Sequence, residues 1–458
     1  MINIKTDSRK IVPGDTFVAL RGISSDGHDY IEKAIELGAV RIIAEEGDYS
    51  VETVIVDDSR KYLEDLLKQE YGHILDEMKI IGVTGTNGKT TSCYLIYQAL
   101  NRLGFPCSYI GTIGYYREGK IKSLPNTSVD LCDLYELLVD SYDNGYKYVA
   151  LEVSSQGLAY GRFNGIKFDI AGFTNLTQDH LDFHHTMEGY ALAKQQLFKQ
   201  LKDDSKVFVN SDDNYKQYYL LDNNINFTYG LNSGDYKVID FKMSRENTIF
   251  TYSYNNFNYT VSCELVGEYN LYNLLLTISI LNQLGIDLTK INEVVRFLKA
   301  PKGRMEKINY NNNLIVIDYA HTPDAIENII NSTKKFTLGN IYVVFGCTGD
   351  RDRTKRPIMT KLVLDNVAKA IITIDDPHNE DPNLIVTDML EGVKSNNYEI
   401  YLDRGIAIQK GIDLLTNDDT LLILGKGHEE FIIIGDKKIP FNDSDIVLNY
   451  VNKSEINV

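Results

Sequence analysis

The residues Gly82-Val-Thr-Gly85-Thr86-Asn87-Gly88-Lys89-Thr90-Thr91 carry the strongest chemical signal in the chain. They follow an apolar run at 79–83 that reads as a buried strand, and they precede a helical pattern from 90 to about 103. A phosphate-binding loop requires that setting. Glycines let backbone N–H groups close on phosphate oxygens, and the helix N-terminus adds positive potential. Lys89 can neutralise β- and γ-phosphates, and the Thr90 hydroxyl can sit on Mg²⁺. The strict spacing G-x-x-x-x-G-K-[ST] fails by one residue, because Val83 stands where the first glycine belongs. The reading is an ATP site.

Two further groups stand at predicted strand ends. Glu152 closes the run 148–153 on the same sheet edge as the phosphate loop, and His180 follows another strand in NLTQDH. A carboxylate and an imidazole there can hold a metal between ATP and an acyl acceptor. Taken singly, Glu152 reads as a solvated strand-end acid and His180 as a turn residue. His180 and His184 share a zinc-like spacing, but no third ligand of the right type accompanies them. Lys194, in YALAKQQLF, reads plainly as a surface lysine whose stem covers Leu197 and Phe198.

The elements that must position these groups form an α/β pattern. Short apolar runs at 16–20, 40–44 and 53–56, with a helix at 30–37, make a small unit over residues 1–78. Strands at 79–83, 148–153, 170–174 and 206–210 alternate with helical patterns, which predicts a mostly parallel central sheet over 79–300. The segment 236–263 predicts a local antiparallel hairpin. APKG at 300–303 breaks a helical pattern, and strand–helix alternation restarts at 314–318, 341–346, 370–374 and 420–424. That predicts a separate doubly wound domain over 301–458. A chain of 458 residues accommodates three domains of about 150 residues.

Composition excludes several functions. The 47 basic and 64 acidic residues give a net charge of −17, which opposes nucleic-acid or anionic-membrane binding. Cys93, Cys107, Cys132, Cys263 and Cys347 form no C-x-x-C pair, so reduced thiols of a cytoplasmic chain are expected. The N-terminus has no apolar signal-peptide core, and 271–286 is too short and polar to span a bilayer. No nucleic-acid partner and no membrane insertion are expected, and the chain reads as a monomer.

The loop GTNGKTT resembles that of the Mur ligase family, which joins a carboxylate to an amine using ATP. The resemblance continues through LEVSSQGL, NLTQDHLDFHHTMEGYALAKQQLF, GEYNLYN, GRME, DYAHTPD, FGCTGDRDRTKRP and GKGHE, and so runs through nearly the whole chain. TDSRKIVPGDTFVALRG and the FGC-GDRD-KRP block are similar to the UDP-N-acetylmuramoyl-tripeptide synthetase branch. The folylpolyglutamate synthetase branch shares the phosphate loop but less of the rest, and it remains the alternative for the acceptor. The resemblance implies a central P-loop-type domain, a Rossmann-like C-terminal domain and a small N-terminal domain that binds the UDP substrate. It also implies ATP as co-substrate, Mg²⁺, a UDP-N-acetylmuramoyl dipeptide and an amino acid.

Residue by residue, the resemblance places Gly85, Thr86, Asn87, Gly88, Lys89, Thr90 and Thr91 on ATP, with Asn273, Arg304 and Asp318. It makes Thr90, Glu152, His180 and a carbamylated Lys194 the metal set, with Lys89 the further catalytic group. Ser8, Asn126, Thr127, Ser128, Ser154, Tyr160 and Arg162 match the wall around the UDP substrate. Gln156 and Tyr160 depart from the residues common there, histidine and glutamine. Arg351, Asp375, Asp376, Pro377, His378, Gly425 and Glu429 match the amino-acid site. Enzymes of this type that add diaminopimelate read D-N-P-R where this chain has Asp375-Asp376-Pro377-His378. A neutral histidine cannot fork onto a distal carboxylate, and the extra acid favours a cation. The loop therefore predicts L-lysine first and diaminopimelate second.

Overall fold

The structure is a computed structural model that describes residues 2–22, 25–222 and 224–456. The chain opens with four short parallel strands, β1 (Ile4–Lys5), β2 (Thr16–Val18), β3 (Arg41–Ala44) and β4 (Glu52–Ile55). A short helix α1 (Ile31–Glu36) buries Ile31 and Ala34 against this sheet. The next helix, α2 (Ser59–Glu77), starts where Asp58 accepts the Lys61 N–H at 2.9 Å, an N-cap that satisfies one orphan donor. Its buried face of Leu63, Leu67, Ile74 and Leu75 carries the chain onto the second sheet.

That sheet has eleven strands. The chain enters at β5 (Lys79–Thr84), crosses over α3 (Lys89–Arg102), and adds β6 (Cys107–Gly111), β7 (Gly114–Tyr116) and β8 (Lys120–Lys122) toward one edge. α4 (Leu131–Asp143) returns it to β9 (Tyr148–Glu152), between β5 and β6. After α5 (Ser155–Ala159), β10 (Phe168–Phe173) pairs with the other side of β5. Two helices, α6 (Leu181–His184) and α7 (Met187–Gln195), precede β11 (Leu201–Asn210) and β12 (Ile225–Gly230). The expected hairpin is a three-stranded meander, β13 (Tyr236–Met243), β14 (Thr248–Tyr254) and β15 (Phe257–Cys263), and it extends the far edge of the same sheet. The apolar stretch that starts at Leu271 lies in α8 (Glu268–Gln283), which buries Leu271, Leu274, Leu275, Ile278 and Leu281. Burying such side chains contributes about 1.5–3 kcal/mol each. α9 (Leu288–Val295) ends this part.

The third sheet runs β16-β17-β21-β18-β19-β20, with β16 (Glu306–Tyr310) antiparallel to β17 (Asn313–Asp318) and all other pairs parallel. Its crossovers are α10 (Pro323–Lys334) after β17, α11 (Lys355–Asn366) after β18 (Ile341–Phe345), and α12 (Pro382–Met389) after β19 (Lys369–Ile372). From β20 (Tyr398–Ile400), α13 (Arg404–Asp413) leads back into the centre at β21 (Thr420–Leu424). Helices on both faces of a parallel sheet make this the expected doubly wound unit. A hairpin of β22 (Phe431–Ile434) and β23 (Lys437–Pro440) and the helix α14 (Asp443–Ile456) complete it. Among the described residues no helix is long and apolar enough to cross a membrane.

Candidate active site

β5, β9 and β10 end side by side, with Val83 paired to Glu152 on one flank and to Gly172 on the other. Such a reversal of strand order leaves a crevice at the carboxyl ends of a parallel sheet. The phosphate loop occupies it. Residues after β10 hold the loop: Asn175 O accepts the Thr86 N–H at 2.8 Å, Asn175 Oδ1 accepts the Asn87 N–H at 2.9 Å, and the Thr174 hydroxyl donates to Asn87 O at 2.6 Å. Lys89 folds back and donates to Gly85 O and Thr86 O, both at 2.8 Å.

Glu152 is not solvated. It is fully buried, and its carboxylate accepts the Thr90 hydroxyl at 2.8 Å, the Thr112 N–H at 2.9 Å and the Thr112 hydroxyl at 3.0 Å, as well as the Tyr109 hydroxyl. The strand-end acid expected from one strand is therefore closed off by β6 and α3. Lys194 corrects the plain surface reading in the same way. Its side chain is buried, its ammonium donates to Gly85 O at 2.8 Å, and it lies 4.2 Å from the centre of the Tyr190 ring. Burial, reinforced by the Lys89 charge, pulls its pKa well below the ordinary lysine value. A lysine held toward its neutral form is a nucleophile. His180, with left-handed backbone (φ 53°), caps α6, and burial draws its pKa down to about 4. Its imidazole is thus neutral, and free to ligate a metal, at ordinary pH.

A cavity of about 650 Å³ opens between the second and third sheets, lined by Asn87, Thr91, Asn270, Asn273, Arg304 and Asp318. Asn270 and Asn273 face the same cavity, and the Asn273 amide donates to Asn270 Oδ1 at 3.0 Å. Asp318 accepts the Met305 and Ala320 N–H groups at 2.7 and 2.9 Å. Arg304 stacks 4.3 Å from the Tyr319 ring centre and reaches to 3.5 Å from the Thr90 hydroxyl.

A smaller cavity of about 230 Å³ joins Lys89 and Thr90 to Asn126, Thr127, Ser128 and Ser154. Here the Ser128 and Ser154 hydroxyls are 2.9 Å apart, and Arg162 donates to Ser128 O at 2.7 Å. Arg162 continues, with Tyr160, Thr6 and Arg60, into a cavity of about 530 Å³ against the first sheet. Ser8 is buried but lines none of these spaces; Thr6, two residues earlier, takes that position.

The third sheet contributes the last wall. A cavity of about 450 Å³ brings Arg351, Asp375, Asp376, His378, Gly425 and Glu429 together with His180. Pro377 does not line it but packs under Gly349. Lys426 was missed in the sequence, although it stands within GKGHE. It is fully buried and reaches Asp376 and Glu429 at 2.8 Å and Asp375 at 3.5 Å. Asp376 also accepts the Ile433 N–H at 2.9 Å. The extra acid therefore shares one buried ammonium with Asp375 and Glu429, and does not stand as an isolated charge in front of the ligand. Burial outweighs Lys426 at Glu429 and raises its pKa to about 7. Lys355, also overlooked, lines the same cavity.

Three family models match the chain: the Mur ligase family catalytic domain at residues 2–71, the Mur ligase middle domain at 83–281, and the Mur ligase glutamate ligase domain at 303–427. The UDP-N-acetylmuramoyl-L-alanyl-D-glutamate–2,6-diaminopimelate ligase of Clostridium botulinum is 40% identical over 457 residues, 97% of this chain and 94% of that one. The Fusobacterium nucleatum protein of the same name is 40% identical over 453 residues, 97% and 92% of the two chains. A solved structure under that name aligns with TM-score 0.69 and 32% identity over 99% of this chain and 95% of its own. The Thermotoga maritima MurF ligase, solved with ADP, aligns with TM-score 0.73 at 20% identity over 100% and 98%, a likeness of fold.

Proposed function

The chain belongs to the Mur ligase family, and on that premise we propose that it is an ATP-dependent UDP-N-acetylmuramoyl-tripeptide synthetase acting in peptidoglycan precursor synthesis. It lengthens UDP-N-acetylmuramoyl-L-alanyl-D-glutamate by one amino acid. The observation that carries this reading is a shared boundary. Asp179, His180 and His321 line both the cavity over the phosphate loop and the one in front of Arg351. An activated carboxyl and an incoming amine can meet there.

A carboxylate becomes an electrophile only when one oxygen is made a leaving group. One oxygen of the acceptor's glutamate carboxylate attacks the γ-phosphorus of ATP, the β–γ bridge bond breaks, and ADP departs with the electron pair. The amine of the amino acid then attacks the acyl carbon, loses a proton and expels inorganic phosphate. Lys89 and Arg304 stabilise the transferring phosphoryl group, and the cavity walls align the partners. The buried amine of Lys194 adds to CO₂ with release of one proton, which turns a nitrogen base into an anionic oxygen donor. With that carbamate, the Thr90 hydroxyl, Glu152 and His180 would be the residues that hold a Mg²⁺ ion, which would offset phosphate charge. All five cysteines are buried and unpaired, which supports a cytoplasmic setting.

For the amino acid, the relatives are named as diaminopimelate ligases, and Asp376 is already engaged by Lys426 at 2.8 Å. We therefore take diaminopimelate as the substrate, its ammonium facing Glu429 and its carboxylate facing Arg351. Equal L-lysine and meso-diaminopimelate competing for one pool of UDP-muramoyl dipeptide should give mainly the diaminopimelate tripeptide by mass. Mainly lysine product would overturn this choice. Phosphate release with a folate acceptor and none with the muramoyl dipeptide would overturn the acceptor.

A further inference from the structure

Behind the wall that carries Arg351 and His378 lies an arginine that touches none of these cavities. Arg356, in the first turn of α11, has a side chain only 1% exposed. Its guanidinium forks onto Glu380, with Nη2 2.8 Å from Oε1 and Nη1 2.9 Å from Oε2. Nη1 also donates to Asp388 Oδ2 at 2.8 Å, and Nη2 to Thr348 O at 3.2 Å. Arg353 holds the same Asp388 through Nε and Nη2 at 2.8 and 3.0 Å. Two loops, one after β18 and one after β19, thus share one charged anchor with α12.

The stitching continues up to the substrate-facing residues. Glu380 Oε1 accepts the Asp350 N–H at 2.6 Å, and Asp350 Oδ2 accepts the Asn379 side-chain amide at 2.8 Å. The Gly349 N–H donates to Asp376 O at 2.8 Å, and a Cβ on Gly349 would stand 2.0 Å from Pro377 O. Asp350 and His378 both hold left-handed backbone, with φ of 54° and 50°. That conformation is strained for residues bearing a Cβ and persists only where surrounding bonds over-determine it. Asp350 immediately precedes Arg351, so its strain sets where Arg351 points. His378 is fixed in turn by its N–H to Ile433 O at 3.1 Å and by its carbonyl, which accepts the Gly435 N–H at 2.7 Å.

We infer that Arg356, acting through Glu380 and Asp388, is the positioning residue of the amino-acid site: it fixes the two loops so that Arg351 and His378 converge on one ligand. This rests on the reading of that wall given above. A side chain meant to bind a ligand must be held within about 0.5 Å of its productive place by groups behind it. Lysine cannot replace the guanidinium, because a single ammonium cannot fork onto Glu380 while reaching Asp388 and Thr348. Glu380 and Asp388 stay partly exposed, 19% and 22%, so water can receive them when Arg356 is replaced.

The experiment is steady-state kinetics on the full chain with meso-diaminopimelate varied at saturating ATP and UDP-muramoyl dipeptide. For Arg356→Met, the KM for the amino acid should rise about 20-fold or more, while kcat stays within about threefold and the KM values for ATP and the dipeptide within about twofold. Arg356→Lys should fall between that variant and the wild type. A role in stability alone would lower the melting temperature and leave the amino-acid KM of the active enzyme unmoved, and that result overturns the inference. If Arg356→Met does not fold, Arg356→Lys and Glu380→Gln should each still raise the amino-acid KM, by less than about 20-fold for the lysine, and an unmoved KM in both overturns the inference. Arg351→Ala, run alongside, separates the two levels. If it raises the amino-acid KM and the Arg356 variants do not, only the positioning role fails. If Arg351→Ala itself leaves that KM unchanged, the wall has been misread and both readings fall.

Discussion

Replacing Gly303 by alanine tests how the third sheet is seated on the second. Gly303 has φ +68°, and a Cβ there would stand 2.0 Å from His428 N and 2.2 Å from Gly427 C. Ordinary contact begins at 3.4 Å, so the loop after β21 must retreat by about 1.4 Å (3.4 − 2.0). The three nearest atoms are all backbone, so swinging a side chain aside does not relieve the collision. The left-handed backbone alone costs about 1–2 kcal/mol, and that lowers the melting temperature of a domain of this size by about 2–8 °C. The retreat matters more for rate, because Gly303 is joined directly to Arg304, which reaches the Thr90 hydroxyl. A misplacement of about 1 Å costs on the order of 100-fold in rate, or about 2.7 kcal/mol at 1.36 kcal/mol per decade. Gly104→Ala is the control: its φ is +83° with nothing within 4 Å of the added methyl. It carries the backbone strain without the collision. The expected result, measured by phosphate release, is kcat about 100-fold lower in Gly303→Ala and unchanged in Gly104→Ala, both with native circular dichroism. If Gly303→Ala keeps kcat within about threefold of the Gly104→Ala enzyme, the collision does not control Arg304 and the reasoning is wrong.

Lys89→Ala should abolish turnover and leave the fold intact, because Lys89 bonds only loop carbonyls; normal ligation by the folded variant would remove the phosphate loop from the mechanism. Lys194→Ala should be nearly inactive and partly rescued by short carboxylates that supply the missing oxygens, with turnover against added acetate or formate as the readout. Glu429, raised to about 7, must be ionised to take an ammonium, so kcat/KM for the amino acid should climb as pH rises through about 7, and Glu429→Gln should flatten that limb. The same shift has the opposite sign for stability. The folded value lies above the ordinary 4.5, so the stabilisation is full below about 4.5 and is lost as pH rises through about 7. Melting of Glu429→Gln should therefore vary less than the wild type between pH 5 and 8.

The phosphate loop was legible because strand, loop and helix are contiguous, so one short window contains the whole device. Glu152 was legible as a position and misjudged as an environment. Its alternation gives the strand end, but the donors that bury it, Tyr109 and Thr112, come from β6 and the turn after it. Lys194 fails locally for the same reason: Gly85 O reaches it from a distant loop that its own window, YALAKQQLF, does not contain. The charge argument for lysine read Asp376 as if it stood alone, whereas Lys426, fifty residues away, reaches it at 2.8 Å from beneath the wall. Counting charges along a loop assumes that the loop faces the ligand alone. The meander β13–β15 read as an isolated hairpin because its edge pairing to β12 involves only Tyr229 with Tyr236 and Gly230 with Lys237.

The distribution of contacts between the second and third sheets indicates which forces set their separation. Near the linker the two are braced from several sides. Arg245 donates to Asn312 O at 2.8 Å and Asp419 O at 3.1 Å, and Lys307 donates back to Glu246 O at 2.9 Å and Glu264 O at 3.1 Å. Across the mouth of the crevice the contacts are single and polar, such as Asn87 to Asp324 at 2.9 Å and Lys120 to Glu430 at 3.8 Å. A hydrogen bond to a charged group contributes about 1.5–3 kcal/mol, and an exposed ion pair about 0–1 kcal/mol. A nucleotide bound with micromolar affinity brings about 8 kcal/mol, and its cavity is lined from both sides, by Asn87 and by Arg304. Ligand binding therefore outweighs these mouth contacts about two-fold or more, while the bracing near the linker does not depend on a ligand. The residues most sensitive to substitution should be those at the linker, where Gly303 crosses Gly427, and not the polar pairs at the mouth.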